Sequence, residues 1–514
     1  MENNQHSHPV STPLKFLVSS SQKVVNLFKE INFKVIPGVT PLLIIDWLIF
    51  FIFLSLLSII GIFKLKNIKS EEQYLLAGRK TGFIALTATL VMTEFNTGTL
   101  LAFSGMGYVA QGWALALPFI FLIGLLFYAG TVAKKWKEFN GLSVAHYFTE
   151  RYGKNIGLIT AVILFLAMVG FSSTYIKSLS LLFLPLFPGL NAWALSGILT
   201  SVVLIMTLKG GLISIIRTDV VSFLAVLIFL PILLYFSWNL DSTGMDATLS
   251  IHQSLAILPP QFILSLIILT MFSYILAPWY AQKIVSAQSP KIAYFSVVVA
   301  AIFVFLLYGL GIGAANFLSI KGVQLQGSEQ ALPYLIHYAL PWGLRGLGYG
   351  ILFAIASTTL AGVWSAMVTI LVGGIKSSGS QESVKRGFYL TLFCANLSYL
   401  GANAFVDHIL DKMILANIPV VALSFALLGG FYWNKASRLG VYVSILTGIA
   451  CGVGFYYFYG ESGMYTWYWA LIGVPAIFFS GIVGSYFERM RVALWFGKKI
   501  MVIKNKIYLL TIFN

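Results

Sequence analysis

The sequence predicts an all-α, polytopic membrane protein of about thirteen transmembrane helices, ten of them arranged as two inverted repeats of five. Three observations predict this. Hydrophobic residues fill 58% of the 514 positions and charged residues only 10%, whereas a soluble chain carries about a quarter charged residues. Runs such as Leu42 to Lys64, Ile156 to Ile176 and Leu264 to Tyr280 approach or exceed the ~20 apolar residues that cross a hydrocarbon core. Ten-residue stretches of alternating polarity are missing, which favours helices over a barrel. The inverted repeat follows from where the spans are broken.

Taken in order, the polar first 40 residues are an N-terminal extension, weakly amphipathic from Lys15 to Lys34. A plain apolar run then gives a span at 41–63. The second, 83–109, carries a carboxylate, Glu94, followed by Gly98, Gly105 and Gly107. Spans at 113–133, 157–184, 191–208 and 213–238 are continuous; the fourth has Lys177 near its end, and the sixth has Arg217 and Asp219 near its start. The seventh, 261–282, is interrupted by Pro278, and 292–318 follows. The ninth, 346–374, holds the run Ser357, Thr358, Thr359. Spans at 387–404, 413–433, 439–459 and 466–486 complete the domain, and 487–514 is a basic tail. The two cysteines, Cys394 and Cys451, both fall in apolar segments, which argues against a disulfide framework or zinc site.

The net charge of +16 would suit a nucleic-acid partner, but the basic residues occupy the gaps between apolar runs, where topology explains them. Lys64, Lys66, Lys69, Arg79 and Lys80; Lys134, Lys135, Lys137, Arg151 and Lys154; Lys376, Lys385 and Arg386; and the tail all share one side. Alternate loops carry Asp241, Asp246, Glu329, Asp407, Asp411 and Glu461. The excess of Lys and Arg on cytoplasmic loops therefore puts the N-terminus outside and the C-terminus inside the cytoplasmic membrane. The N-terminal lysines dissent and are outvoted.

No P-loop, G-x-S-x-G, H-E-x-x-H or His/Cys ligand cluster occurs, so the motifs of common enzymes are missing. Chemistry is then sought among polar groups at membrane depth, which by default mark pathways or binding sites. Each has a plainer reading. Glu94 is a protonated packing residue or a functional carboxylate. Asp219 is an ion pair with Arg217 or part of an inner ion path. Lys177 snorkels outward. Ser357, Thr358 and Thr359 are interhelical glue or cation ligands, and Pro278 is a kink or a break. Secondary transporters break corresponding spans of two inverted halves and bind the coupling ion on the freed backbone carbonyls. The interrupted second and seventh spans lie five apart, as such repeats over about 83–238 and 261–433 require.

Several stretches resemble the sodium/solute symporter family of proline, pantothenate, monocarboxylate and sugar transporters. "YLLAGRKTG" and "FSGMGYVAQG" flank its first broken helix, and "SVAHYFTERYGK" resembles an inner loop. "KGGLISIIRTDVV", "APWYAQKIVSAQS" and "LFAIASTTLAGVWSA" follow in the family's order. The resemblance implies a LeuT-type fold and Na+ as coupling ion. Its ligands would be the carbonyls of Met92, Phe95 and Ala354 and the hydroxyls of Ser357 and Thr358. Ala354, Ser357 and Thr358 stand at i, i+3 and i+4, on one helix face. The solute-facing positions of the resemblance are Glu94, Thr97, Gly98, Thr270, Tyr274 and Pro278, with Asp219 on the inner path. Tyr274 and Pro278 match the proline-transporter pattern, but Thr270 replaces its Trp and Glu94 its Asp, so the solute is left as amino acid, carboxylate or sugar-like.

The expected activity is sodium-coupled import of a small organic solute by alternating access, with the lipid bilayer and the solute as partners. Two other readings stand beside it: a proton-coupled or uncoupled transporter using Glu94, and a membrane sensor derived from a transporter. Too few residues follow position 486 for a soluble signalling domain.

Overall fold

In the computed structural model the described residues are 42–62, 76–139, 141, 143–187, 189–207, 211–242, 248–372, 380–460 and 464–491. The predicted extension, the basic residues Lys64, Lys66, Lys69 and Lys376, and all but the start of the tail lie outside them. The elements that carry the argument are α1 (Ile44–Ile62), α2 (Phe83–Glu94), α3 (Thr97–Ala110), α4 (Phe119–Glu138), α5 (Lys154–Phe183) and α6 (Ala192–Thr207). They continue as α7 (Gly211–Trp238), α8 (Pro260–Tyr274), α9 (Pro278–Val285), α10 (Pro290–Ile320) and α11 (Leu344–Val372). The last are α12 (Ser380–Ala404), α13 (Ile409–Val421), α14 (Ser424–Tyr432), α15 (Arg438–Tyr459) and α16 (Tyr465–Arg491).

Each of the thirteen predicted segments falls on one of these helices or on a broken pair. Among the described residues eight helices are long and apolar enough to cross a membrane, or ten if each of two bent pairs counts as one span. The shortfall has physical causes. The chain stops α2 after 12 residues, α6 has only 16, and α12 opens on the charged turn Ser380–Arg386.

Local chemistry sets the boundaries. Proline stands in the first turn of α8, α9 and α10, where its missing N–H costs nothing and its fixed φ suits a helix. Ser289 caps α10 by accepting from Ile292 N at 3.2 Å. Packing then relies on small and hydroxylated residues, as it must where lipid is as apolar as the side chains. A Cβ on Gly107 would meet the Ile312 carbonyl at 2.6 Å and one on Gly311 would meet Leu100 at 2.6 Å, so glycine lets α3 lie against α10. Ser398 of α12 bonds Ser172 of α5 at 2.6 Å and accepts from the Trp364 indole of α11 at 3.1 Å.

The helix α11 is the axis of the bundle, with 94% of its most apolar window buried against 33% for α1. Its start is tied to α1 by Asp46, whose carboxylate accepts from Gly343 N at 2.6 Å, Gly346 N at 3.2 Å and Leu43 N at 3.1 Å.

Candidate transport site

Two interrupted helices meet beside α11. The first break falls at Phe95 and Asn96. Phe95 leaves the helical region at φ −77°, ψ 86°, while Asn96 caps α3 by accepting from Thr99 N at 2.8 Å. Asn96 N–H, which in a continuous helix would bond the Met92 carbonyl, donates instead to the Tyr308 hydroxyl at 3.1 Å. Tyr308 in turn donates to the Glu94 carbonyl at 2.6 Å, and Asn96 Nδ2 reaches the same carbonyl at 2.9 Å. The break thus withholds an amide from Met92 while satisfying Glu94. Thr359 Oγ1 of α11 approaches the Met92 carbonyl at 3.4 Å. The second break, Ile275–Ala277, has its Ile275 carbonyl held by the Trp136 indole at 3.0 Å.

The named sodium ligands are distributed around this junction. Ser357 Oγ donates to the Ala354 carbonyl at 2.9 Å and Thr358 Oγ1 to Ile355 at 3.2 Å. Both hydroxyl residues line a cavity of about 40 Å³ together with Ser58, Ser214 and Thr218, while none of residues 92–95 lines it. The helix face turned to Met92 therefore carries Thr359, one residue beyond the predicted pair. Sequence spacing alone could not separate these faces, because consecutive residues point ~100° apart on a helix.

Thr270 and Tyr274 line a cavity of about 80 Å³ between the broken helices, with Thr99, Phe103, Phe121, Phe171, Tyr175, Trp279 and Asn417 among the other walls. Glu94 is 1% exposed and lies behind that wall, approached by Tyr274 and Trp279. Its Oε1 has no hydrogen-bond partner. Thr97, Gly98 and Pro278 are not among the residues that line that cavity. Thr97 Oγ1 bonds Ser178 Oγ at 3.0 Å, Gly98 abuts Tyr175, and Pro278 lines a separate small cavity with Trp136, Gln282 and Thr369.

Asp219 is fully buried, and its partner is Lys283 of α9, Nζ to Oδ2 at 2.8 Å, rather than the neighbouring Arg217 of its own helix. The pair bridges α7 and α9. Thr89 of α2 donates its hydroxyl to the same carboxylate oxygen, and Lys283 also donates to the Thr89 carbonyl at 3.1 Å. Close by, Thr81 N donates to Ser286 O at 2.9 Å, Gln288 N donates to Thr81 O at 3.0 Å, and the Thr81 and Ser286 hydroxyls meet at 3.0 Å. This end of the cavity is sealed. Lys283 was missed in the sequence; a buried aspartate in need of a cation was the signal that could have found it.

At the other end the turn Ser328–Gln330 packs on α3, and Glu329 accepts from Ile409 N, the first amide of α13, at 3.3 Å. Burial raises the Glu329 carboxyl above the usual carboxylate range, against the Ile409 amide and His408.

Two interrupted helices clasped at one end and sharing a walled cavity beside a buried central helix define a multi-span secondary transporter. The family model for "Sodium:solute symporter family" matches residues 74–448, most of the chain. The protein belongs to that family, a family of transporters and not of enzymes. Among solved structures, a Na+-coupled sialic acid symporter in a substrate-bound, outward-open state superposes with a TM-score of 0.70 at 18% identity, covering 86% of this chain and 97% of that one. This establishes the shared LeuT-type fold. A mutant manganese transporter from Eremococcus coleocola aligns with a TM-score of 0.49 at 13% identity, over 82% of this chain and 97% of that one. No curated protein matches.

Proposed function

We propose that the protein imports a small organic solute by sodium-coupled alternating access, with repeats over about 83–238 and 261–433 moving around the junction of α2, α3 and α11. The observation that carries this reading is the Met92 carbonyl, deprived of its helical amide and approached by the buried Thr359 hydroxyl of α11. Sodium, a hard cation, prefers such oxygens. The carbonyls of Met92, Phe95 and Ala354 with the hydroxyls of Ser357 and Thr358 are the proposed ligands, and Thr359 supports Met92 from the same helix. The superposed sialic acid symporter is Na+-coupled, which agrees with the assignment.

The test is the sodium dependence of uptake in proteoliposomes. Ser357→Ala and Thr358→Ala are each expected to raise the sodium concentration for half-maximal uptake severalfold, about 1 kcal/mol per lost oxygen. Thr359→Val, which keeps shape, distinguishes a direct role for the third hydroxyl. Unchanged sodium dependence in the double variant would favour proton-coupled or uncoupled transport through Glu94, a reading that the unpartnered Oε1 supports.

The orientation proposed is N-terminus outside and C-terminus cytoplasmic in the cell membrane, from the bias of basic residues. The sealed Thr81–Lys283 end is then the inner gate, with Asp219 on the inner ion path. In a background lacking both native cysteines, Ser242→Cys is expected to react with an impermeant thiol reagent in intact cells while Ser378→Cys is protected. The reverse pattern would overturn the orientation.

A further inference from the structure

Two aromatic groups line the central cavity. Phe103, Phe121 and Tyr274 form one continuous group, with ring centroids 5.8 Å apart at each step. Phe171 and Trp279 form another, with centroids 5.1 Å apart. Tyr175 completes the enclosure. Aromatic faces carry the negative end of a quadrupole and attract cations, best when water is excluded.

The charges point the same way. Glu94 sits behind Tyr274 and Trp279 with an unpartnered, buried Oε1. The basic side chains of the surrounding helices are committed elsewhere. Lys283 is held by Asp219 and Thr89, and Lys177, two positions past the wall residue Tyr175 on α5, is coupled to the carboxylates of Glu329 and Asp407. The other polar side chains of the wall, such as Thr99, Thr270, Ser273 and Asn417, are neutral. Around this junction two carboxylates, Glu94 and Asp219, share one ammonium. An anionic solute would meet aromatic side chains backed by the Glu94 carboxylate.

We infer that the solute is a small organic cation, with an alkylammonium or quaternary ammonium group seated between the Phe171–Trp279 and Phe121–Tyr274 walls and countered by Glu94. The inference rests on reading this cavity as the solute site of the proposed symporter. A cavity of about 80 Å³ has room for roughly six water-sized groups, the scale of such a head group.

The experiment compares choline with its neutral carbon isostere, 3,3-dimethylbutan-1-ol, and with propionate, by equilibrium binding to the purified full-length protein in sodium-containing buffer. Choline is expected to bind at least tenfold more tightly than the isostere, and propionate not at all. Trp279→Leu and Glu94→Gln are each expected to weaken choline about tenfold, while Trp279→Phe, which restores a ring, recovers part of the loss. Equal binding of choline and the isostere, preference for propionate, or choline affinity unmoved in both variants would overturn the inference. Should those variants fold poorly, the wild-type comparison of the three probes still decides it. A sodium-induced thermal stabilisation of the wild-type protein is measured alongside. If it is present without ammonium preference, the inference alone fails; if it is absent with the preference intact, sodium coupling fails.

Discussion

Replacing Lys283 by methionine is expected to destabilise the folded protein by about 3–5 kcal/mol, the usual cost of stranding one partner of a buried ion pair. Both side chains are almost wholly enclosed, 2% and 1% exposed, so solvent cannot take over from the lost ammonium. Thr89 remains as a donor to Asp219 but brings no charge. Asp219→Asn alone leaves the ammonium stranded and is expected to cost as much. The double variant Lys283→Met/Asp219→Asn removes both charges and should recover most of the loss, because a buried pair roughly breaks even against its neutral replacement. Thermal unfolding of the three variants in one detergent gives the coupling directly. Additive losses would show that the two residues act independently and that the sealed end does not depend on their pairing.

The second large effect is expected at Glu94. Glu94→Gln keeps size and hydrogen-bonding capacity and removes the charge, so a packing residue would tolerate it. A carboxylate that counters a transported cation would not. Sodium-driven uptake is expected to fall at least tenfold with folded yield unchanged, about 1.4 kcal/mol or more of lost interaction. Well-folded Glu94→Gln that transports with wild-type sodium and pH response would end the functional reading of this residue.

How much of this was legible in the sequence depends on the length scale of the cause. The spans and their interruptions were, because hydrocarbon thickness and the chemistry of Gly and Pro act on contiguous residues. Glu94 was conspicuous for the same reason, as a carboxylate in an unbroken apolar context. The partner of Asp219 was not, since Lys283 lies 64 residues away and it is α2, packed against both α7 and α9, that brings the two together, whereas Arg217 was the neighbour that sequence could see. Thr97 was placed at the solute by the family resemblance alone, and its hydroxyl bond to Ser178 of α5 spans a separation that sequence does not show. Pro278 lies on α9 just past the second break, and its ring turns to a different cavity. The tyrosine that organises the first break, Tyr308, is 214 residues from the carbonyl it satisfies. Nothing local marked it.

The clasp between Thr81 and the Ser286–Gln288 turn also has a mechanical meaning. The two half-helices it joins, α2 and α9, are short rods, fixed to one another at their tips by backbone bonds and again by Lys283 on the Thr89 carbonyl. At their opposite ends each rod stops at a break whose free carbonyl rests on an aromatic side chain of a longer helix, Tyr308 of α10 for one and Trp136 of α4 for the other. The pair is a yoked lever with two bearings. So long as the tip bonds hold, neither rod can swing without carrying the other, and displacement at the sealed end is transmitted to both breaks together.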